Sequence, residues 1–161
     1  MMNKENKITF QKAFTLIELL IVIAIIGILS SVVLVSSRSG VDKAKTASAI
    51  TTMSSLLPEL VTCADDNGKA IRAAVPTGNS TTGTYVCCIS TSSDACVPNT
   101  PAAGHFVRWP DINTKTGYTY QAPTNTLSAG TYIFTATKGA SPDLSTITCS
   151  YATNECTEVK S

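Results

Sequence analysis

Apolar residues recur along this chain in three rhythms. Over residues 14–35, FTLIELLIVIAIIGILSSVVLV, they are nearly continuous, and Glu18 is the one charged residue. A run that is apolar on every side has no solvent face. At 1.5 Å per residue its 22 residues make a helix of roughly 33 Å, enough to cross the ~30 Å hydrocarbon core of a bilayer. Beyond Val35 the spacing becomes three and four: Val41, Ala44, Ser48, Met53, Leu56, Leu57 and Leu60 share one side, with Asp42, Lys43, Lys45 and Thr46 opposite. This predicts that the helix continues in amphipathic form over residues 36–67. Gly40 places a weak point near 36–40, Pro58 a kink ahead of itself, and Asp65-Asp66-Asn67-Gly68 a stop. Further on, strand patterns occupy residues 84–89 and 118–122, and more clearly 130–138 and 145–151 around the turn GASPD. The last two predict an antiparallel hairpin within a sheet of three or four strands, so the fold class is α+β.

Composition sharpens this division. The 161 residues carry a net charge of +1 with 14% charged residues, which lacks the basic excess of a nucleic-acid binder, and 43% hydrophobic residues exclude a disordered chain. Residues 62–161 nevertheless hold only 15 of Ile, Leu, Val, Phe, Met and Trp. That is thin for a core that must offset ~1–2 kcal/mol of backbone entropy per residue. Two reinforcements are available: the apolar helix face upstream and six cysteines. The organisation that follows is residues 1–13 as a basic leader, 14–35 as a membrane helix, 36–67 as the amphipathic helix, and 68–161 as a disulfide-stapled β head.

All six cysteines, Cys63, Cys87, Cys88, Cys96, Cys149 and Cys156, lie beyond the apolar run. They suit an oxidising compartment, which puts the C-terminal part outside the cytoplasm and Met1 inside. Charge does not orient the helix, since Lys4, Lys7 and Lys12 on one side balance Arg38, Lys43 and Lys45 on the other. Adjacent Cys87 and Cys88 are poorly placed to bond each other; one pairing with Cys96 and the other with Cys63 is an arrangement this permits, and the connectivity of these four stays open. Disulfides account for the cysteines better than a metal does: there is no C-x-x-C, and His105, the single histidine, has no partner at ligand spacing. No cofactor is implied.

The leader looks at first like a secretory signal, but the apolar run exceeds the ~7–15 residues of a removable segment, and no small-x-small cleavage triplet follows it. Glu18 is unusual in such a run. Thr15-Leu16-Ile17-Glu18 has the spacing of a capping box, in which hydroxyl and carboxylate satisfy the first amides of the helix. Together, KAFTLIELLIVIAIIGILSS resembles the class III signal of type IV pilins, type II secretion pseudopilins and competence pilins. The resemblance implies cleavage between Ala13 and Phe14 by a prepilin peptidase, N-methylation of Phe14, and retention of the helix. It implies that Glu18 pairs with the terminal amine of a neighbouring subunit during assembly. Gly27 and Ser31, four apart, allow close helix packing. Ala13 stands where the family most often has glycine, and the helix lacks the proline common in major pilins, with Val35 near that position.

Further implications are a pilin-like fold with the long helix packed on the sheet, and a disulfide Cys149–Cys156 closing a small C-terminal loop. The implied partners are further copies of the chain, the prepilin peptidase, an inner-membrane assembly platform and an assembly ATPase. The chain would be single-pass in a prokaryotic cytoplasmic membrane, then part of an extracellular filament serving adhesion, motility or DNA uptake. A pseudopilin is the alternative within the family. A membrane-anchored monomeric binding module is the alternative outside it. Losing the leader would remove three lysines and one glutamate and shift the net charge from +1 to −1.

Nothing in the sequence suggests catalysis: there is no nucleophile elbow, phosphate loop or paired carboxylate motif. Asp65-Asp66-Asn67-Gly68 starts like a calcium loop but lacks the remaining ligand spacing, so it is taken as a turn. Trp109 and His105, in HFVRWPD, fit a core anchor better than an adhesive surface patch.

Overall fold

The computed structural model describes residues 14–72, 74–79, 81–89, 96 and 99–161, the side chains of 32–39 excepted. Helix α1 is Leu16–Ser54, α2 is Leu57–Asp65 and α3 is Asn113–Thr116; the strands are β1 (Thr119–Tyr120), β2 (Ile133–Lys138), β3 (Ser145–Ser150) and β4 (Glu155–Lys160). Contacts divide the chain into two units between Val41 and Asp42, which are described separately.

α1 passes Gly40 without interruption. One glycine costs only about 1 kcal/mol, too little to break a helix otherwise well formed. At Pro58 the chain breaks instead of bending: α1 ends at Ser54 and α2 starts with the proline in its first turn, where a missing N–H costs nothing. α2 ends as the sequence predicts, in a Schellman motif. Asn67 takes the left-handed conformation (φ 55°), Gly68 N–H donates to the Cys63 carbonyl at 2.8 Å, and Asn67 N–H donates to that of Ala64 at 3.2 Å.

The four strands form one antiparallel sheet in the order β1-β2-β3-β4. The predicted strand at 84–89 is absent from it. Those residues make only isolated bridges, Tyr85 with Arg108 and Cys88 with both Lys69 and Pro101. Adjacent Cys87 and Cys88 are fastened to different partners, Cys63 and Cys96, and the segment forms no continuous ladder. β1 is shorter than the 118–122 pattern suggests. β4 has no counterpart in the sequence reading, because Glu155, Glu158 and Lys160 obscure any apolar alternation and Val159 is its one large apolar residue. Cys149 and Cys156 close a small loop, and that loop is the turn of a hairpin. They stand opposite each other in the β3–β4 hairpin and are bonded there.

The core of the second unit is built on Trp109, Tyr118, Tyr132, Phe134, Met53, Leu56, Leu60 and Ile147, all fully buried. Trp109 meets Tyr120 and Phe134 edge to face, with ring centroids 5.0 and 5.3 Å apart. The Tyr132 hydroxyl donates to the Ile71 carbonyl at 2.6 Å, tying the segment after α2 to β2. The helix face that covers this core agrees with the predicted one at Met53, Leu56, Leu57 and Leu60 and differs from it further upstream. Val41 is 52% exposed, and Ala44 and Ser48 are exposed as well, whereas Thr46 and Ala49 are buried. The buried stripe is Thr46, Ala49, Met53 and Leu56, with exposed Asp42 one turn ahead of it. Thr46 is admitted because its hydroxyl meets that of Tyr118 at 3.0 Å, and Asp42 pairs with Lys138 at 3.1 Å.

Candidate functional site

The first unit presents a helix end with two properties. One is its start. Thr15 N–H and hydroxyl both donate to Glu18 Oε2, at 2.9 and 2.7 Å, and Glu18 N–H returns a 3.4 Å contact to the Thr15 hydroxyl. This is the reciprocal capping box that the Thr-x-x-Glu spacing predicts. It holds the carboxylate at the positive end of the helix dipole, beside Phe14.

The other is exposure. Phe14 is 84% exposed, and so to a lesser degree are Leu16, Ile17, Leu19, Leu20, Ile21, Val22, Ile23, Ile25, Ile26, Ile28 and Leu29. These side chains point in all directions around the helix, which no soluble monomer sustains; such a surface requires lipid or other protein. A methyl group added at Gly27 would meet no other atom. The Ser31 hydroxyl turns back to the Ile28 carbonyl at 2.7 Å, leaving that side smooth. Among the described residues no helix is long and apolar enough to cross a membrane. The described side chains of the run stop at Ser31, about 22 Å from Leu16, and the sequence supplies the remaining length up to Val35 outside them. Ala13 and the leader, residues 1–13, also lie outside the described residues.

In the second unit the sequence-predicted residues fall into place as staples. The disulfides are Cys63–Cys87, Cys88–Cys96 and Cys149–Cys156. Gly68 packs directly on the sulfurs of Cys63 and Cys87, and a side chain there would collide with them. Trp109 and His105 are both buried, while Phe106 between them is exposed.

His105 holds an arrangement that sequence spacing does not reveal. Its Nδ1 meets Glu59 Oε1 at 2.9 Å and its Nε2 meets Asp66 Oδ2 at 3.0 Å, joining the segment before Trp109 to both ends of α2. These carboxylates are 46 and 39 residues away in the chain, so only the seven-residue interval between them on the helix hinted at a shared site. Two carboxylates can both be satisfied only if both ring nitrogens carry protons. The Glu59 hydrogen bond is the main cause raising the His105 pKa above its ordinary value, against the opposing effect of burial, with Asp66 adding to it. The sign follows: this contribution to stability is full below pH ~6.5 and lost as pH rises through the raised folded value. The urea midpoint is therefore expected to fall as pH rises above ~6.5, and His105→Gln to flatten that slope. As this is the chain's one histidine, an unchanged slope in the variant would refute the assignment. Among the described residues no cluster of three or more His, Cys, Asp and Glu is arranged to hold a metal ion.

The family model for the prokaryotic N-terminal methylation motif matches residues 9–34. No curated protein and no solved structure matches the chain. Residues 9–34 thus carry the class III signal of type IV pilins and pseudopilins, and the all-round apolar helix end with its Thr15–Glu18 cap lies inside the matched segment.

Proposed function

We propose that this chain is a structural subunit of a type IV pilus-like filament, held in the membrane by residues 14–35 and then polymerised through that helix after cleavage between Ala13 and Phe14. The observation that carries this reading is the coincidence of the methylation motif with a helix that exposes apolar side chains on every side. Removal of the leader creates an α-ammonium at Phe14. Glu18, four residues on, supplies the complementary charge for a neighbouring copy. In a bundle of low dielectric such a pair sets axial register more than it adds net stability, because desolvation offsets most of the attraction. Gly27 and Ser31 give neighbouring helices room to approach.

The prepilin peptidase, an assembly platform and an assembly ATPase are the partners this mechanism requires, and the subunit itself performs no chemistry. A pilus subunit is preferred to a pseudopilin because the head ends in a disulfide-bonded hairpin and lacks a calcium-loop motif; the missing helix proline favours the pseudopilin. In cells that also produce an active prepilin peptidase, the chain is expected in filaments sheared from the surface. With the peptidase inactivated it is expected to remain in the membrane fraction. Recovery as a soluble monomer in both cases would overturn the reading.

A further inference from the structure

The sheet has one long open edge. β1 closes the opposite side with two residues, while β4 presents six. The register fixes which backbone groups of β4 face outward. Ser161 N–H donates to the Leu144 carbonyl at 3.0 Å, so these two residues continue the β3–β4 ladder as a hydrogen-bonded pair. Hydrogen-bonded and non-hydrogen-bonded pairs alternate in an antiparallel ladder. Lys160 opposite Ser145, Glu158 opposite Ile147 and Cys156 opposite Cys149 are then non-hydrogen-bonded pairs. The N–H and C=O groups of Cys156, Glu158 and Lys160 therefore point away from β3, and no described backbone group takes any of them.

An incoming antiparallel strand must place outward-facing residues opposite outward-facing residues, which restricts a two-fold pairing to a few registers. Centring on Glu158 sets two like charges opposite each other and is disfavoured. Centring on Thr157 puts Cys156 opposite Glu158 and Lys160 opposite the turn residue Asn154, so neither charge meets an opposite charge of the second copy. Centring on Val159 places Glu158 opposite Lys160 of the second copy, and Lys160 opposite its Glu158. That register completes the outward hydrogen bonds of both residues. It also packs Val159, 62% exposed on the outer face, against its own counterpart.

We propose that β4 is a homotypic docking edge, on which a second copy of the chain pairs antiparallel about a two-fold axis at Val159. Charges on edge strands usually repel partners. Within one chain Glu158 Oε1 already accepts from the Ser145 and Tyr118 hydroxyls, at 2.6 and 3.3 Å, and lies 3.4 Å from Lys160 Nζ; in this one register each Lys160 also stands opposite the Glu158 of the second copy. The contact is small beside the ~1,000 Å² of a stable interface, so it is weak in dilute solution and acts where copies are concentrated in a membrane. It involves neither Glu18 nor the apolar helix, and it stands or fails independently of the proposed function.

The test is cysteine trapping in the full chain held in detergent micelles under mild copper–phenanthroline oxidation. Val159→Cys is expected to give a disulfide-linked dimer at least about tenfold more readily than Thr157→Cys, which lies on the same face but away from the axis. Adding Lys160→Glu to Val159→Cys should suppress the dimer, and adding Glu158→Lys as well should restore it. Equal trapping at 157 and 159, or indifference to Lys160→Glu, would overturn the proposal. If the added thiol disturbs the native disulfides, amide exchange of the unmodified chain decides. Exchange at Glu158 and Lys160 should slow as micelle occupancy rises, and exchange independent of occupancy would equally overturn it.

Discussion

Trp109→Ala is expected to cost the head about 3–5 kcal/mol, a large part of the ~5–15 kcal/mol by which domains of this size are stable. The indole is fully buried and stands edge-on to Tyr120 and Phe134 at the centre of the core. Few other large side chains could move into the space, since residues 62–161 hold only 15 large apolar residues. Trp109→Phe should cost far less. The indole Nε1 makes no hydrogen bond to any described residue, so the phenyl ring gives up volume but no polar contact. Urea unfolding followed by near-ultraviolet circular dichroism checks both variants. An alanine variant with an unchanged midpoint would mean that Trp109 does not anchor the sheet.

Glu18→Val is expected to abolish filaments while leaving membrane insertion intact. The substitution breaks the capping box, a loss of about 1 kcal/mol. Against this, removing a carboxylate from an apolar run lowers an insertion cost that reaches ~2.5–3.5 kcal/mol at a helix centre. Insertion therefore does not suffer. What disappears is the charge that a neighbouring Phe14 amine would meet. Glu18→Gln separates the two roles, because glutamine retains the capping geometry without the charge. If Glu18→Gln yields filaments at normal levels, the cap matters and the charge does not. Carbonate-resistant membrane protein and sheared filaments, measured in parallel, read both outcomes.

Features local in sequence were the legible ones. The capping box and the stop at Asn67 each depend on residues within about five positions of one another, and the β2–β3 hairpin on its short turn; the structure contains all three, while the kink expected ahead of Pro58 is a break between two helices. The shaft face was assigned correctly from Met53 to Leu60 but not at Val41, Ala44 and Ser48, for a different reason. Thr46 enters the core only because Tyr118, 72 residues away, offers its hydroxyl, and periodicity counts threonine as polar without seeing that partner. β4 escaped notice because the stapled hairpin and its hydrogen-bond ladder hold it in place, not an apolar alternation. Segment 84–89 shows the converse: a good strand pattern whose neighbours are set by two disulfides instead of a ladder. The clamp on His105 was likewise hidden, since its two carboxylates become its neighbours only once α2 is folded against the segment before Trp109.

The central claim, that the apolar helix is kept and made into an assembly surface by cutting immediately before it, is tested most directly by the mass of the mature N-terminal peptide. Tandem mass spectrometry of chain recovered from cells with an active prepilin peptidase should find a first residue at Phe14 carrying one extra methyl group on its amine. An intact Met1, or a new terminus after residue 30 with the apolar run removed, would contradict it.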